Sequence, residues 1–398
     1  MTSFYKSLIL ILALFPFVGA VAQSKTQQRT IILMVDGFGE SYYRNSDMPN
    51  LNKMEKEGLY KVVPSLMPAV TNVNNIAIAT GELPSKNGIT GNVFLNPATG
   101  KEEYTEDPAL ILVPTIFERA RKAGVRSALF SCKKKTVDLM GKGADIALCA
   151  ECANAADPEW VEHIGTAPDV YSKEVSYWIM EAALYTIKKD AGLGLIFIHT
   201  TDYPMHMWPP ESPDAKDFLH HLDEYIGKLH AAAPDAAILL TADHNMNHKD
   251  LCWDLDKAMA ARNTPIKIAI SPEKDHYLKH HRGMGGASYV YLNNAADLDK
   301  VKKVLLSLKG IEAVLTRKEA SERYGLMPER IGDLMVLGDK VTVFGNLEKT
   351  ESEQLDANYR THGSSYEAEV PLFVYNAKNA PKAGYFKYNY LLAAWLFR

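Results

Sequence analysis

The chain has 398 residues, of which 47% are hydrophobic and 23% are charged, and this composition is typical of a globular protein with a large core. Its 44 basic and 48 acidic side chains give a formal net charge of −4, so no strong positive field draws it to nucleic acid. We therefore expect a folded protein without a nucleic-acid partner.

The first 22 residues are predicted to be an export signal. Lys6 precedes an apolar run at 7–15, and positions 20–22 supply the small side chains of a cleavage site. The alternative is a membrane anchor, but the run is shorter than the roughly 20 residues that span a bilayer. We expect an exported, periplasmic protein that begins near Gln23 and has no membrane span.

Short aliphatic strands alternate with amphipathic helices along most of the chain. Apolar residues recur three or four apart at 172–189 and 215–232, which indicates helices that cover a sheet. Nearly all-apolar segments, typical of strands buried on both faces, lie at 29–35, 194–198, 236–240 and 371–375. The alternation predicts the α/β class, with a mostly parallel central sheet sandwiched by helices.

A different pattern occupies residues 249–345. Short strands and one helix are predicted there, at 266–270, 288–292 and 298–308. We interpret this region as a smaller α+β cap that is inserted into the main domain. The main domain is then formed by residues 23–248 and 346–398.

Acidic and imidazole side chains lie close to the ends of the predicted strands. In an open α/β sheet, ligands bind outside the carboxyl ends of the strands, so residues far apart in sequence can meet there. Each residue alone has a structural alternative, such as a turn, a helix cap or a surface histidine. Together they favour two Zn²⁺ ions, which can hold the oxygens of a phosphoryl group. The candidate ligands are Asp36, Asp202, His206, Asp243, His244 and His362.

Thr71 is the candidate nucleophile. It lies in a predicted loop ahead of a helix at 76–80, which Gly81 ends. The N-terminus of a helix attracts a phosphate, and a zinc ion can lower the pKa of a nearby hydroxyl. The alternative is that Thr71 only caps the helix, and spacing alone does not separate the two roles.

Asn92 is a candidate donor to a phosphoryl oxygen, because it follows a loop that can bend back toward the site. From the residues alone, a turn asparagine is the favoured alternative.

Lys133, Lys134 and Lys135 follow a predicted strand at 127–130. Three consecutive lysines usually form a solvated surface. In an extended segment, however, Lys133 and Lys135 would point the same way and could hold one anionic group, such as a carboxylate.

The cysteines are too few for a disulfide scaffold. Cys149 and Cys152 form a CxxC pair that is compatible with a zinc site, a redox site, a disulfide or two unreactive thiols. Cys132 and Cys252 complete the set, and the sequence leaves their redox state open.

Several of these segments together resemble the alkaline phosphatase superfamily, over nearly the whole mature chain. The resemblance rests on 34–37, Thr71 ahead of 79–81, 202–206, 242–244 and 361–363. Within the nucleotide pyrophosphatase/phosphodiesterase branch, the chain is most similar to the phosphonoacetate hydrolases. This narrower resemblance rests on 71–75, 88–92, 200–203, 243–247, the pair Lys133 and Lys135, and 367–371.

The resemblance implies a role for each candidate residue. One zinc is expected to bind Asp202, His206 and His362, and the other Asp36, Asp243 and His244. Thr71 is expected to be the nucleophile, Asn92 a ligand of the phosphoryl oxygens, and Lys133 and Lys135 the substrate-binding pair. The family pattern also leads us to expect glycine where this chain has Asn245.

The implied function is zinc-dependent cleavage of the C–P bond of phosphonoacetate, to acetate and phosphate, through a phospho-threonine. One alternative is a phosphodiesterase or nucleotide pyrophosphatase that acts on P–O bonds. Another is a non-catalytic protein that binds metal or phosphonate. In each case we expect a small anionic phosphonate or phosphate ester as the partner, and a homodimer is compatible with the sequence.

Overall fold

The computed structural model describes residues 28–275, 279 and 281–398. The predicted export signal at 1–22 and the expected mature start near Gln23 lie outside the described residues.

Strands and helices alternate along the chain. The strands are β1 (Thr30–Met34), β2 (Leu59–Pro64), β3 (Val93–Leu95), β4 (Glu102–Tyr104), β5 (Arg126–Ser131), β6 (Ile146–Cys149), β7 (Leu193–His199), β8 (Ala237–Thr241), β9 (Asn247–His248), β10 (Leu251–Trp253), β11 (Ile268–Ile270), β12 (Ala287–Tyr291), β13 (Ile311–Thr316), β14 (Leu334–Gly338), β15 (Thr342–Phe344), β16 (Ser352–Gln354), β17 (Arg360–Thr361) and β18 (Glu369–Tyr375). The α-helices are α1 (Glu40–Asn45), α2 (Pro49–Glu57), α3 (Thr71–Thr80), α4 (Pro84–Asn87), α5 (Ile116–Lys122), α6 (Lys134–Met140), α7 (Ala150–Ala156), α8 (Pro158–Ile164), α9 (Glu174–Lys189), α10 (Tyr203–Met207), α11 (Pro213–Ala232), α12 (Leu255–Ala261), α13 (Leu298–Leu305) and α14 (Arg317–Tyr324).

A seven-stranded sheet forms the centre of the fold, in the order β2-β18-β8-β1-β7-β5-β6. The run from β8 to β6 is parallel, and β1 pairs its Thr30 with Ala237 on one side and Leu195 on the other. All five residues of β1 are buried, as expected for a strand covered on both faces. The predicted α/β class with a mostly parallel central sheet is confirmed.

The strand β18 is antiparallel to both of its neighbours, β8 and β2. Because it runs against the others, the loop before β18 lies at the same edge of the sheet as the loops after β8, β1, β7 and β5. This edge gathers the candidate ligands, including His362, which precedes β18 rather than following a strand.

The helices predicted at 172–189 and 215–232 are α9 and α11. Val175, Ile179 and Ala183 of α9 are buried at a spacing of four residues, and the helix packs on β7 and β5. In turn, α11 packs on α9 and α2. None of the helices in the described part of the chain combines the length and the apolar composition needed to cross a membrane.

Within residues 249–345, an antiparallel sheet has the order β11-β12-β14-β13. A second small sheet pairs β10 with β15 and also with β16, which lies beyond residue 345. Met67 and Ala69 of the main domain share a hydrophobic cluster with β12 and β14. The division into a core and a cap at 249–345 stays a prediction.

All four cysteines are free thiols, and Cys132, Cys149 and Cys252 are buried. Among the described residues, the groups of side chains that could hold a metal contain no cysteine.

A buried ion pair fixes the loop that precedes β18. Lys249 Nζ is 2.8 Å from Glu367 Oε1 and donates to the Lys340 carbonyl at 2.9 Å, and the Lys249 and Glu367 side chains are fully buried. The other carboxylate oxygen of Glu367 accepts from the backbone N and the Oγ of Ser364. The pair therefore ties the chain after β9 to the segment that carries His362.

Replacement of Lys249 by methionine is expected to lower the free energy of unfolding by about 3 kcal/mol, because it leaves the Glu367 carboxylate buried without its cation. Urea denaturation measures the change. The double variant K249M/E367Q removes both charges and should recover part of the loss. A loss below about 1 kcal/mol, the level of an exposed pair, would contradict a buried pair of this strength.

Candidate active site

A tight turn after β1 directs Asp36 into the site. The Asp36 backbone N donates to Thr200 Oγ1 at 3.1 Å, and the Gly37 backbone N donates to Asp243 Oδ1 at 3.2 Å. Gly37 has a φ of +74°, a conformation that favours glycine, and an added Cβ would lie 3.2 Å from Met205 Cβ. The turn thus joins the loops that follow β1, β7 and β8.

The structure brings all six predicted metal ligands together in a buried cluster. His244 Nε2 lies 3.5 Å from Asp36 Oδ1 and 3.4 Å from Asp243 Oδ2. His206 Nε2 lies 3.1 Å from Asp202 Oδ2, and the rings of His244 and His362 stack with their centroids 3.5 Å apart. Residues from α10 and from the ends of three strands therefore converge on one small volume.

The atoms that lie closest together form two groups of three. One group is Asp202, His244 and His362, and the other is Asp36, His199 and Asp243; within each, the ligand atoms lie within 4.8 Å of one another. This grouping differs from the one that the resemblance implies, because it places His244 with Asp202 and includes His199. The assignment of ligands to individual ions stays a prediction.

Backbone carbonyls orient three of the histidines. The Nδ1 atoms of His206, His244 and His362 lie 2.8, 3.0 and 2.8 Å from the carbonyl oxygens of Arg360, Asn245 and Ala69. Since a carbonyl only accepts, each Nδ1 carries the proton and Nε2 is the atom that faces the cluster. This arrangement is typical of imidazoles that bind a metal through Nε2.

The donor set fits a metal centre. Among the described residues, the buried atoms without a hydrogen-bond partner include Asp36 Oδ1 and Asp243 Oδ2. Burial raises the pKa of Asp243 well above its ordinary value, and the neighbouring Asp36 carboxylate adds to the rise. Burial also lowers the pKa of His244, which favours the neutral ring that a metal requires.

Lys133 lies between two of the carboxylates. Its Nζ is 2.7 Å from Asp36 Oδ2 and 2.7 Å from Asp202 Oδ1. Burial opposes the charge of this lysine, but the Asp202 and Asp36 carboxylates outweigh burial and raise its pKa. Burial and Asp202 likewise act to raise the pKa of Asp36, but Lys133 and His199 hold it below its ordinary value. A single ammonium thus balances two carboxylates.

The lysine segment is helical rather than extended, so strand alternation does not place Lys133 and Lys135 side by side. Lys133 is the N-cap residue of α6, and Lys134 and Lys135 open the helix. Lys134 pairs with Asp138 in the next turn, and Lys135 pairs with Asp275 from the predicted cap. The lysines nevertheless line the same cavity.

Thr71 is the first residue of α3, which begins five residues earlier than the predicted helix. Val70 is the N-cap residue, so Thr71 does not cap the helix. Thr71 Oγ1 lies 3.4 Å from His244 Nε2, and Thr71 lines the cavity that contains the lysines. Its hydroxyl is therefore placed between the ligand cluster and the cavity.

Asn92 is a buried cavity residue. Its Oδ1 accepts from the backbone N of Asn72 at 3.1 Å, and its Nδ2 lies 3.3 Å from Glu273 Oε2. The amide nitrogen of Asn92 thus points toward the Glu273 carboxylate, on the acidic side of the cavity.

Sequence reasoning missed His199, the last residue of β7. Its Nδ1 is 3.0 Å from Ser131 Oγ, and its Nε2 is 3.4 Å from Asp36 Oδ2. The sequence could have indicated His199, because a histidine at the end of an apolar strand has the same position as the predicted ligands.

Sequence reasoning also missed Glu273, which lies in the predicted cap. Its Oε1 is 3.2 Å from His362 Nε2. Burial opposes protonation of the His362 ring, but the Glu273 carboxylate raises its pKa to about 9. No strand end or motif marks Glu273, so only the tertiary structure reveals it.

Asn245, where the family pattern led us to expect glycine, is accommodated by Gly39. A Cβ at Gly39 would lie 1.9 Å from Asn245 Oδ1, so the missing side chain at Gly39 makes room. The Asn245 backbone N donates to the Glu367 carbonyl at 2.7 Å. Asn245 is therefore compatible with the position that its loop and His244 adopt in this structure.

Comparison with known proteins identifies the family. The model of the family described as "Type I phosphodiesterase / nucleotide pyrophosphatase" matches residues 30–365. A pyrophosphatase/phosphodiesterase of Schizosaccharomyces pombe, itself uncharacterized, is 26% identical over 228 residues, which are 54% of this chain and 44% of that protein. The chain thus spans about half the length of the curated relatives it matches.

Two solved structures extend the comparison. The phosphonoacetate hydrolase of Sinorhizobium meliloti 1021, in complex with phosphonoacetate, has a TM-score of 0.83 and 29% identity, and the match covers 92% of this chain and 94% of that one. Murine ectonucleotide pyrophosphatase/phosphodiesterase 5 has a TM-score of 0.64 and 16% identity, with 87% of each chain covered, and supports the fold alone. The chain belongs to the type I phosphodiesterase/nucleotide pyrophosphatase family of metal-dependent enzymes, within the alkaline phosphatase superfamily.

Proposed function

We propose that the protein is a zinc-dependent hydrolase that cleaves the C–P bond of phosphonoacetate. The observation that carries the proposal is the cavity that Thr71, Asn92, Lys133 and Lys135 line together, beside the buried ligand cluster. It combines a hydroxyl nucleophile with ammonium groups that suit a carboxylate. The likeness to a phosphonoacetate hydrolase over 92% of the chain supports the same substrate.

The six predicted ligands would hold two Zn²⁺ ions, with Asp202, His206 and His362 on one and Asp36, Asp243 and His244 on the other. When bound, the ions would lower the pKa of the Thr71 hydroxyl and neutralise charge on the phosphoryl oxygens. Asp36 and Asp202 also form ion pairs with Lys133. Binding of zinc by these two carboxylates would therefore release Lys133 toward the substrate.

Thr71 performs the first step. Its Oγ1 gives its proton to solvent water and forms a bond to phosphorus, and the P–C bond breaks. The electron pair of that bond passes to the leaving carbon and spreads into the carboxylate as an enediolate, which takes a proton from water and becomes acetate. A second water then hydrolyses the phospho-threonine, which releases phosphate and restores Thr71.

Two further contributions stabilise the charge that develops. The Nδ2 of Asn92 donates to a phosphoryl oxygen, and the positive N-terminal end of α3 faces the same group. Lys133 and Lys135 bind the substrate carboxylate, where the negative charge of the enediolate accumulates. These are interactions that strengthen as the P–C bond breaks.

The family match favours one alternative, a phosphodiesterase or nucleotide pyrophosphatase that uses the same nucleophile on P–O bonds. A non-catalytic metal or phosphonate binder is disfavoured, because it would not need Thr71 beside the ligand cluster. Phosphate release from phosphonoacetate and from aryl phosphate diesters, assayed side by side with zinc, separates the three functions.

The Lys135→Met variant tests the C–P assignment. We expect kcat/KM for phosphonoacetate to fall about 100-fold, as for the loss of one charge-assisted hydrogen bond, while kcat/KM for an aryl phosphate diester, which has no carboxylate, falls less than about threefold. The matched control is Lys134→Met, which removes the same charge from the neighbouring, more exposed lysine. Equal losses on both substrates, or no loss on phosphonoacetate, would contradict the assignment.

We also propose that the protein is exported to a periplasm and cleaved near Gln23. N-terminal sequencing of the mature protein tests this, and a start at Met1 would contradict it. A homodimer stays a prediction.

A further inference from the structure

An ion pair crosses the cavity from α6 to the predicted cap. Lys135 Nζ contacts Asp275 Oδ2, and the two side chains are only 11% and 3% exposed. Both residues line the cavity that contains Thr71. The buried Asp275 carboxylate thus pairs with the Lys135 ammonium group. The proposed function assigns that same ammonium group to the substrate carboxylate.

Asp275 differs from the other carboxylates that contact the lysine segment. The partners of Lys133 are Asp36 and Asp202, which are proposed metal ligands, so bound cations compete with Lys133 for them. The partner of Lys134 is Asp138, which is 46% exposed and one helical turn away. Asp275 is not among the proposed ligands, so bound metal leaves its pairing with Lys135 in place.

Two carboxylates compete for one ammonium when a carboxylate ligand enters. An ammonium has three donors and can contact both, but two like charges brought together in a site of low exposure repel each other. The ligand must then either share Lys135 at an electrostatic cost or displace Asp275. A ligand without a carboxylate meets neither cost.

We propose that Asp275 is a specificity-determining residue, which occupies the carboxylate position on Lys135 and weakens binding of phosphonates that carry a carboxylate on the carbon bonded to phosphorus. The proposal rests on the proposed function in one respect, the placing of the substrate carboxylate at Lys135. It deepens that function, because it makes the cap a determinant of substrate range.

The experiment measures binding separately from turnover. The zinc-loaded protein with Thr71→Ala, which stops turnover, is titrated calorimetrically with phosphonoacetate and with methylphosphonate, which has no carboxylate. Addition of Asp275→Asn is expected to tighten phosphonoacetate binding about tenfold relative to methylphosphonate. In that variant Lys135 has lost the Asp275 carboxylate, and only the carboxylate of phosphonoacetate replaces it. Asp217→Asn, which removes the partner of Lys173 away from this cavity, is the matched control and should leave that ratio unchanged.

The outcomes separate this proposal from the proposed function. Weaker binding of phosphonoacetate in Asp275→Asn, an equal change for both ligands, or no phosphonoacetate binding in any variant would overturn it. Asp275→Ser should shift the ratio in the same direction and provides a second test if the asparagine variant unfolds at a lower temperature. If the C–P assignment itself is wrong, the protein with Thr71 intact will release no phosphate from phosphonoacetate.

Discussion

Replacement of Thr71 by alanine is expected to reduce phosphate release from phosphonoacetate by about 10⁴-fold or more, because loss of a nucleophile removes the covalent route altogether. Thr71 Oγ1 lies 3.4 Å from His244 Nε2 and lines the cavity, and the side chain caps no helix. The change should therefore affect chemistry and leave folding intact. Steady-state phosphate release with zinc present measures the effect.

The control for Thr71→Ala is Thr71→Ser, which keeps the hydroxyl and should retain activity within about 100-fold, well above the alanine variant. Acid quenching of the threonine enzyme during turnover should also trap phosphate on Thr71. Full activity in the alanine variant, with unchanged zinc content, would rule out the proposed nucleophile.

Replacement of Asp36 by asparagine is expected to lower activity by about 10³-fold, together with a loss of bound zinc, since a neutral amide is a poor substitute for a buried carboxylate ligand. Asp36 lies at the centre of the cluster, with contacts of at most 3.5 Å to His244, His199 and Lys133, so its loss should disturb the whole ligand set. Elemental analysis of the purified protein gives the metal content, and phosphate release gives the activity.

The control for Asp36→Asn is His248→Gln, which removes an imidazole that pairs with Asp250 outside the ligand cluster. This variant should keep both zinc and activity. In the native protein, a chelator should abolish activity and added zinc should restore it. Retention of full activity after complete removal of metal would contradict a metal-dependent site.

The central strands were the most predictable part of the fold. Segments such as 29–35 and 236–240 are nearly all apolar, and they correspond to β1 and β8 within a residue or so at each end. The edge strand β2 escaped prediction, because its residues are mostly half-buried and mix apolar with polar side chains. The direction of β18 could not be predicted from the sequence either, because its apolar pattern is the same whichever way the strand runs.

The predicted ligands could be found because each lies near the end of a recognisable strand, and they do meet in the structure. The lysine segment shows the limit of this reasoning, since a run of three lysines does not reveal whether it is extended or helical. Glu273 and Asp275 show a second limit. They reach the cavity only because the predicted cap folds against the sheet edge, and no local sequence pattern predicts such a contact.

The late position of β18 in the chain affects when the site can form during synthesis. The ribosome releases β1 and Asp36 early, but β18 and His362 emerge near the end of the chain. Until then β18 cannot pair with β8, and His362 cannot approach Asp202 and His244. Until His362 emerges, a nascent chain therefore carries an incomplete set of the proposed ligands. A product truncated before His362 would retain Thr71 and five of the six proposed ligands, and would lack the sixth.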